Sequence, residues 1–228
     1  MLCSCKANVS IDIYPPVPHT GSTMNLADKL TLSRIVLAPV FFALYSLPSV
    51  FPEWAQGNMV LIVVVLWLVF LFGEITDGLD GMAARKLKIT SDFGRLFDPF
   101  ADTLMQLTLL LCFVLEGIFP AILFLVVIYR EFSILFLRNL MLKKGITMGA
   151  RIGGKIKTVS YITACGLALA YSSLIRLDII GSLHRPLEIA SLVVFVLSVL
   201  VAVASFFDYL SVYRSSKEAG AESQSDKT

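Results

Sequence analysis

Long apolar stretches, separated by short polar ones, occupy most of the chain. Most of them approach or exceed the roughly 20 residues that a helix needs to cross the hydrocarbon of a bilayer. The third is continuous only if Asp98, Pro99 and Asp102 are tolerated inside it. This pattern predicts an all-α polytopic membrane protein with six transmembrane helices. The six segments cover approximately residues 32–51, 58–76, 96–115, 118–142, 159–175 and 187–213.

The two ends of the chain differ from this pattern. Residues 1–23 contain three prolines and no periodicity, which predicts a flexible arm, and they lack the apolar core of a cleaved signal peptide. Between residues 24 and 34 apolar and polar positions alternate at helical spacing, which predicts an interfacial helix running into the first span. We therefore expect an arm at 1–23, a membrane domain at 24–213 and a polar tail at 214–228.

Composition supports the membrane class. Hydrophobic residues make up 57% of the 228 positions, charged residues 16%, and the mean hydropathy is +0.80. These values are typical of integral membrane proteins. The net charge of +2 is too small to indicate binding of nucleic acid.

The basic residues gather in alternate loops, and this predicts the orientation in the membrane. The loops after the first, third and fifth spans carry few bases or none, whereas the others are rich in them. By the positive-inside rule, both termini and the loop after the second span face the cytoplasm. We expect the membrane to be the cell inner membrane. The basic positions on that side are Lys6, Lys29, Arg34, Arg85, Lys86, Lys88, Arg95, Lys143, Lys144, Arg151, Lys155, Lys157, Arg214, Lys217 and Lys227.

Acidic residues flank the loop between the second and third spans. If both flanks are helical, Asp77, Asp80, Gly81 and Ala84 share one face, because they are spaced i, i+3, i+4 and i+7. Asp98 and Asp102, four residues apart, share a face of the next helix. The polar segment between them predicts a turn. Its polar and small residues are Lys86, Lys88, Thr90, Ser91, Asp92 and Gly94.

Four carboxylates at one point repel one another, so a cation must join them. Mg²⁺ or Mn²⁺ suits oxygen ligands, and a pair of such ions about 4 Å apart serves in-line displacement at phosphorus. Two alternatives remain open at this point. The acids could simply mark the ends of membrane helices, or they could belong to a divalent-cation transporter.

The run D-x2-D-G-x2-A-R-x8-G-x3-D-x3-D, from Asp77 to Asp102, resembles the signature of the CDP-alcohol phosphotransferase family, without insertion or deletion. The resemblance implies an enzyme of phospholipid biosynthesis that uses two divalent cations, Mg²⁺ or Mn²⁺, and often forms homodimers. It implies cation ligands at Asp77, Asp80, Asp98 and Asp102, and Asp102 as the catalytic residue that either accepts the proton of the acceptor hydroxyl or orients that hydroxyl. It implies contacts with the cytidine nucleotide from Asp80, Gly81, Ala84 and Arg85.

A second set of residues is similar to the phosphatidylglycerophosphate-forming branch of that family. Its members are Arg130, Glu131, Arg138, Gly154, Lys155, Lys157 and Thr158. This resemblance implies CDP-diacylglycerol as the donor and sn-glycerol 3-phosphate as the acceptor, with Arg130, Arg138, Lys155 and Lys157 holding the acceptor phosphate. Inositol phosphate, inositol, serine, choline or phosphatidylglycerol remain alternative acceptors. The basic loop alone would also suit contact with anionic lipid.

Several positions near the motif stay undecided. Thr31 and Arg34 fit an element that family members often carry, but Asp28 departs from its usual asparagine, so we assign this element no catalytic role. Glu74 either extends the acidic cluster or caps its helix, and capping is favoured. Pro99 either bends the third helix or begins it.

Overall fold

The computed structural model describes the backbone of residues 26–87, 92–143, 152–179 and 181–225, and the side chains of 31–76, 97–141, 156–179 and 181–211. Over these residues the chain forms six α-helices and no strands, which confirms the all-α prediction. The helices are α1 Leu26–Val50, α2 Pro52–Leu87, α3 Asp92–Leu115, α4 Ala121–Lys143, α5 Ile152–Arg176 and α6 His184–Ser225.

The helices are longer than the apolar segments that predict them. From Leu26 onward the predicted interfacial helix is simply the first part of α1, continuous with the first span. Asp92 and Gly94, expected in a turn, lie in the first turn of α3, since α2 ends at Leu87 and α3 begins at Asp92. Residues 88–91 are outside the described part. At the other end, α6 continues past residue 213 to Ser225.

Pro99 lies inside α3 and does not begin it. A proline in a helix interior cannot donate the backbone hydrogen bond of its position. Its own carbonyl is engaged, because Thr103 Oγ1 donates to Pro99 O at 2.8 Å. The irregularity of α2 is elsewhere, at Asn58, whose φ of −124° and ψ of 17° interrupt the helix after its first turns.

A tight reversal connects α3 to α4 at the end of the bundle that lies away from the acidic motif. After α3, Gly117 adopts a φ of 80°, which a residue without Cβ reaches easily. Ile118 N donates to Phe113 O at 2.9 Å and Gly117 N donates to Val114 O at 3.0 Å. This pair of hydrogen bonds defines a Schellman motif. The chain therefore turns sharply into α4.

The bundle is apolar outside and partly polar inside. Leu68 is 60% exposed and Tyr129 69% exposed, whereas Ser172 and Ser198 are fully buried. Aromatic rings fill the centre, where Phe119 stacks on Phe195 with ring centroids 4.2 Å apart. An apolar exterior is stable when lipid surrounds it, so this distribution suits a membrane bundle.

Five of the six described helices are long and apolar enough to cross a membrane, by length and composition alone. The exception is α4, which carries Arg130, Glu131 and Arg138. Arg130 and Glu131 are buried in the bundle, while Tyr129 and Phe136 on the same helix are exposed. Charges that face inward do not prevent a helix from spanning lipid, and a sixth span at α4 stays a prediction.

A polar network joins three helices at the end away from the acidic motif. Arg176, the last residue of α5, lies 3.4 Å from Glu116 Oε1 and 4.2 Å above the ring of Tyr45. Tyr45 Oη donates to Glu116 and lies 3.2 Å from Ser172 Oγ. We call these four residues the distal network, because they tie the ends of α1, α3 and α5 together.

Candidate active site

Asp98 and Asp102 lie on one face of α3, as their spacing predicts. Both carboxylates pair with the guanidinium of Arg34. Arg34 of α1 forms ion pairs with both carboxylates, through Nη2 to Asp98 Oδ1 at 3.2 Å and through Nη1 to Asp102 Oδ1. Thr31 Oγ1 donates to Asp98 Oδ1 at 2.7 Å. The two acids therefore converge on one point between α1 and α3.

The other half of the acidic motif lies on α2. The helix continues without interruption through residues 77–87, so the register predicted for Asp77, Asp80, Gly81 and Ala84 is confirmed. The side chains of these residues and of Arg85 are outside the described part of the chain. Their roles stay predictions.

The chemistry of the described acids fits a divalent cation. Asp98 and Asp102 together gather around a single positive group, and carboxylate oxygens are the ligands that Mg²⁺ and Mn²⁺ prefer. Within the side chains that the structure describes, no three His, Cys, Asp or Glu residues form a cluster that could hold a metal ion. A complete ligand set would need Asp77 and Asp80 from α2.

A buried charge network joins α4, α5 and α6. Glu131 accepts hydrogen bonds from Arg130 Nη1 at 2.9 and 3.0 Å and from Lys157 Nζ at 2.7 Å. Arg130 also donates from Nε to Ala202 O at 3.0 Å and from Nη2 to Ser205 Oγ at 2.6 Å. These bonds fix Arg130 between α4 and α6, and Lys157 keeps two further N–H donors.

Arg138 is held differently from Arg130. Its Nη2 donates to Tyr209 Oη at 3.2 Å, and its guanidinium lies 5.7 Å from the centre of the Tyr209 ring. Most of its five N–H donors are not engaged by this contact, so they can reach an anion. Lys155 lies in the first turn of α5, and its side chain is outside the described residues.

One cavity of about 300 Å³ joins the acidic and the basic groups. Arg34 and Asp102 line one side of it, and Arg130, Arg138 and Lys157 line the other. Its polar side chains come from the first halves of α1 and α5, from the middle of α3, from the central and later parts of α4, and from the second halves of α2 and α6. Because neighbouring helices alternate in direction, these segments meet at the same end of the bundle, opposite the distal network.

The structure adds two residues to the site. Arg34 and Thr31 contact the acids directly, although we assign them no catalytic role from sequence because Asp28 departs from the expected pattern. The Thr-x-x-Arg spacing was the available signal. Glu74 lines the cavity from inside α2, which continues to Leu87, so the prediction that Glu74 caps its helix is wrong.

Comparison with known proteins decides the family. The family model described as CDP-alcohol phosphatidyltransferase matches residues 24–204. The chain belongs to this family. Because it belongs to this family, the chain is a transferase that acts in the membrane. Members of the family generally depend on divalent cations.

Curated relatives match most of the chain. A protein of Treponema pallidum (strain Nichols) is 40% identical over 195 residues, covering 83% of this chain and 89% of its own length. One from Bacillus subtilis (strain 168) is 34% identical over 150 residues, covering 65% and 78%. Both are named CDP-diacylglycerol–glycerol-3-phosphate 3-phosphatidyltransferase. A probable phosphatidylglycerophosphate synthase of Mycobacterium tuberculosis (strain ATCC 25618 / H37Rv) is 30% identical over 212 residues, covering 91% and 92%.

Proposed function

We propose that the chain transfers the phosphatidyl group of CDP-diacylglycerol to sn-glycerol 3-phosphate, forming phosphatidylglycerophosphate and CMP. The observation that carries this proposal is the cavity that Asp102 shares with Arg138 and Lys157. A carboxylate for the acceptor hydroxyl and cations for an acceptor phosphate then lie within reach of one small molecule. The names of the Treponema and Bacillus relatives support the same pair of substrates.

The acceptor phosphate binds at the basic side of the cavity. Lys157 and Arg138 donate to its oxygens, since both have N–H groups beyond those used within the protein. Arg130 and Lys155 complete the positive field. Glu131, which is itself held by Arg130, accepts a hydrogen bond from Lys157 and holds it in place, which reduces the entropy lost when the acceptor binds. A neutral acceptor such as inositol would leave this cluster without an anion.

The donor binds at the acidic side. Asp77, Asp80, Asp98 and Asp102 would hold two divalent cations, Mg²⁺ or Mn²⁺, and Asp80, Gly81, Ala84 and Arg85 would contact the cytidine nucleotide. When bound, the cations stabilise the negative charge that develops on the diphosphate. The small residues at 81 and 84 leave space for the nucleotide beside the helix backbone.

Asp102 orients the acceptor for reaction. Its carboxylate accepts a hydrogen bond from the primary hydroxyl of the acceptor, which directs the oxygen toward the phosphorus that carries diacylglycerol. The new bond joins that oxygen to phosphorus, the bond from phosphorus to the CMP oxygen breaks, and the hydroxyl proton passes to the Asp102 carboxylate. CMP leaves with the electron pair of the broken bond.

The cavity is proposed to face the cytoplasm of a cell whose inner membrane holds the chain. The bases at the starts of α1 and α5 and at the end of α4 support this orientation by the positive-inside rule. CDP-linked and phosphorylated substrates then reach the site from the compartment that contains nucleotides. A homodimer is proposed from the resemblance alone.

The deciding experiment measures CMP release by purified protein in detergent. The protein is incubated with CDP-diacylglycerol, Mg²⁺ or Mn²⁺, and each candidate acceptor in turn, with EDTA as the metal-free control. CMP and phosphatidylglycerophosphate are expected only with glycerol 3-phosphate. CMP release with inositol phosphate or serine, and not with glycerol 3-phosphate, would show that the proposed acceptor is wrong. If no acceptor led to CMP release, the proposed reaction would be wrong.

Lys155→Ala combined with Lys157→Ala is expected to raise the KM for glycerol 3-phosphate about tenfold or more, because hydrogen bonds from charged groups to the acceptor phosphate are lost. The KM for CDP-diacylglycerol should stay unchanged. Steady-state kinetics with each substrate varied measures both constants. Arg185→Ala, which removes an exposed base near the start of α6, is the matched control. A fall in kcat alone would remove these lysines from the acceptor site.

A further inference from the structure

Two polar groups in the cavity wall take no part in the scheme above. Gln106 Nε2 and Tyr161 Oη have no hydrogen-bond partner within the described part of the chain, and both atoms are shut off from water. The whole Tyr161 residue is only 1% exposed. Folded proteins leave few buried polar groups unpaired, and a group that a ligand engages is one physical reason for such an exception.

Both residues lie one helical turn deeper than a charged residue of the site. Gln106 follows Asp102 by four positions on α3, and Tyr161 follows Lys157 by four positions on α5. Four residues of α-helix rise about 6 Å along the axis. All four residues line the same cavity, so Gln106 and Tyr161 form a polar layer beneath the charged layer of Asp102 and Lys157. Apolar residues, among them Leu109 and Ile162, also line the cavity.

We propose that Gln106 and Tyr161 bind the non-reacting secondary hydroxyl of the acceptor and thereby select glycerol 3-phosphate among small phosphate esters. This inference rests on the proposed function. With the phosphate at Lys157 and the primary hydroxyl at Asp102, the middle carbon of the acceptor lies between the two charged residues. Its hydroxyl can then point to the layer below.

The chemistry of the two side chains matches one hydroxyl. An alcohol donates one hydrogen bond and accepts up to two, while an amide and a phenol each supply donors and acceptors. Lys157 Nζ lies 5.4 Å from the centre of the Tyr161 ring. An acceptor phosphate that binds Lys157 therefore lies close to this phenol.

The test compares two acceptors that differ only in this hydroxyl. 3-Hydroxypropyl phosphate keeps the phosphate and the primary hydroxyl of glycerol 3-phosphate and lacks the secondary one. The parent protein should prefer glycerol 3-phosphate by at least about tenfold in kcat/KM, since a site that hydrogen-bonds a hydroxyl discriminates against its absence. Tyr161→Phe and Gln106→Leu should each lower kcat/KM for glycerol 3-phosphate about tenfold and change that for 3-hydroxypropyl phosphate less than about twofold.

Tyr171→Phe is the matched control, because Tyr171 lies on the same helix and does not line the cavity. It should leave both acceptors unchanged. Equal losses for the two acceptors in both variants, or no preference in the parent protein, would overturn the inference and leave the proposed function standing. Absence of CMP release from the parent protein with glycerol 3-phosphate would overturn both. If Tyr161→Phe fails to fold, the same comparison of the two acceptors with Gln106→Leu supports or overturns the inference.

Discussion

Asp98→Asn is expected to abolish CMP release without unfolding the protein. The amide keeps the shape of the carboxylate and can still accept the hydrogen bond from Thr31, but it loses the negative charge that pairs with Arg34 and is proposed to bind the cations. Loss of partners that merely support a metal ligand already costs about 10–100-fold. Removal of the ligand itself should therefore lower kcat by at least about 100-fold.

The same preparation should show weaker binding of Mn²⁺ by titration while its melting temperature in detergent changes little. Asp178→Asn makes the identical chemical change on an exposed residue after α5, where a φ of 55° is tolerated by asparagine as well as by aspartate. That control should keep full activity. Near-normal turnover of Asp98→Asn would contradict the role of this residue in cation binding.

Glu131→Gln is expected to cause a large loss of stability. The carboxylate is 5% exposed and lies between Arg130 and Lys157, so its neutralisation leaves two buried cations without their counter-charge. Breaking a buried ion pair from one side costs about 3–5 kcal/mol. Denaturant unfolding in detergent micelles, followed by tryptophan fluorescence, measures the change in the free energy of unfolding.

A second substitution separates charge from packing. Glu131→Gln combined with Lys157→Met removes one of the stranded cations together with the acid, so the double variant should be more stable than Glu131→Gln alone. Glu188→Gln, on an exposed carboxylate near the start of α6, should leave stability unchanged. Equal stability of Glu131→Gln and the parent would show that the network contributes nothing to the fold.

Hydropathy predicted the helices well and their ends poorly. The apolar runs indicate where lipid surrounds the chain, but helices continue beyond the lipid, and Asp92 and Gly94 therefore lie in α3 although their polarity suggested a turn. Composition alone does not identify α4 as a membrane span, because Arg130, Glu131 and Arg138 count as charges although Arg130 and Glu131 are buried inside the bundle.

The acidic motif was predictable because its residues are close in sequence and fixed in spacing. Contacts between residues far apart in the sequence could not be predicted in this way. The pairing of Arg34 with Asp98 and Asp102 joins residues more than 60 positions apart, and Glu131 pairs with Lys157 of α5 as well as with its neighbour Arg130. That Tyr161 Oη has no hydrogen-bond partner among the described side chains becomes visible only when those side chains have been located.

The distal network determines how three of the helices can move relative to one another. Contacts among Tyr45, Glu116 and Arg176 connect α1, α3 and α5 at one end of the bundle. If these helices tilt, their connected ends therefore move least. The displacement of the helices is then larger toward the opposite end, where Asp98 and Lys157 lie. A small angular change at the distal network therefore alters the distance between Asp98 and Lys157 more than it alters the contacts within the network.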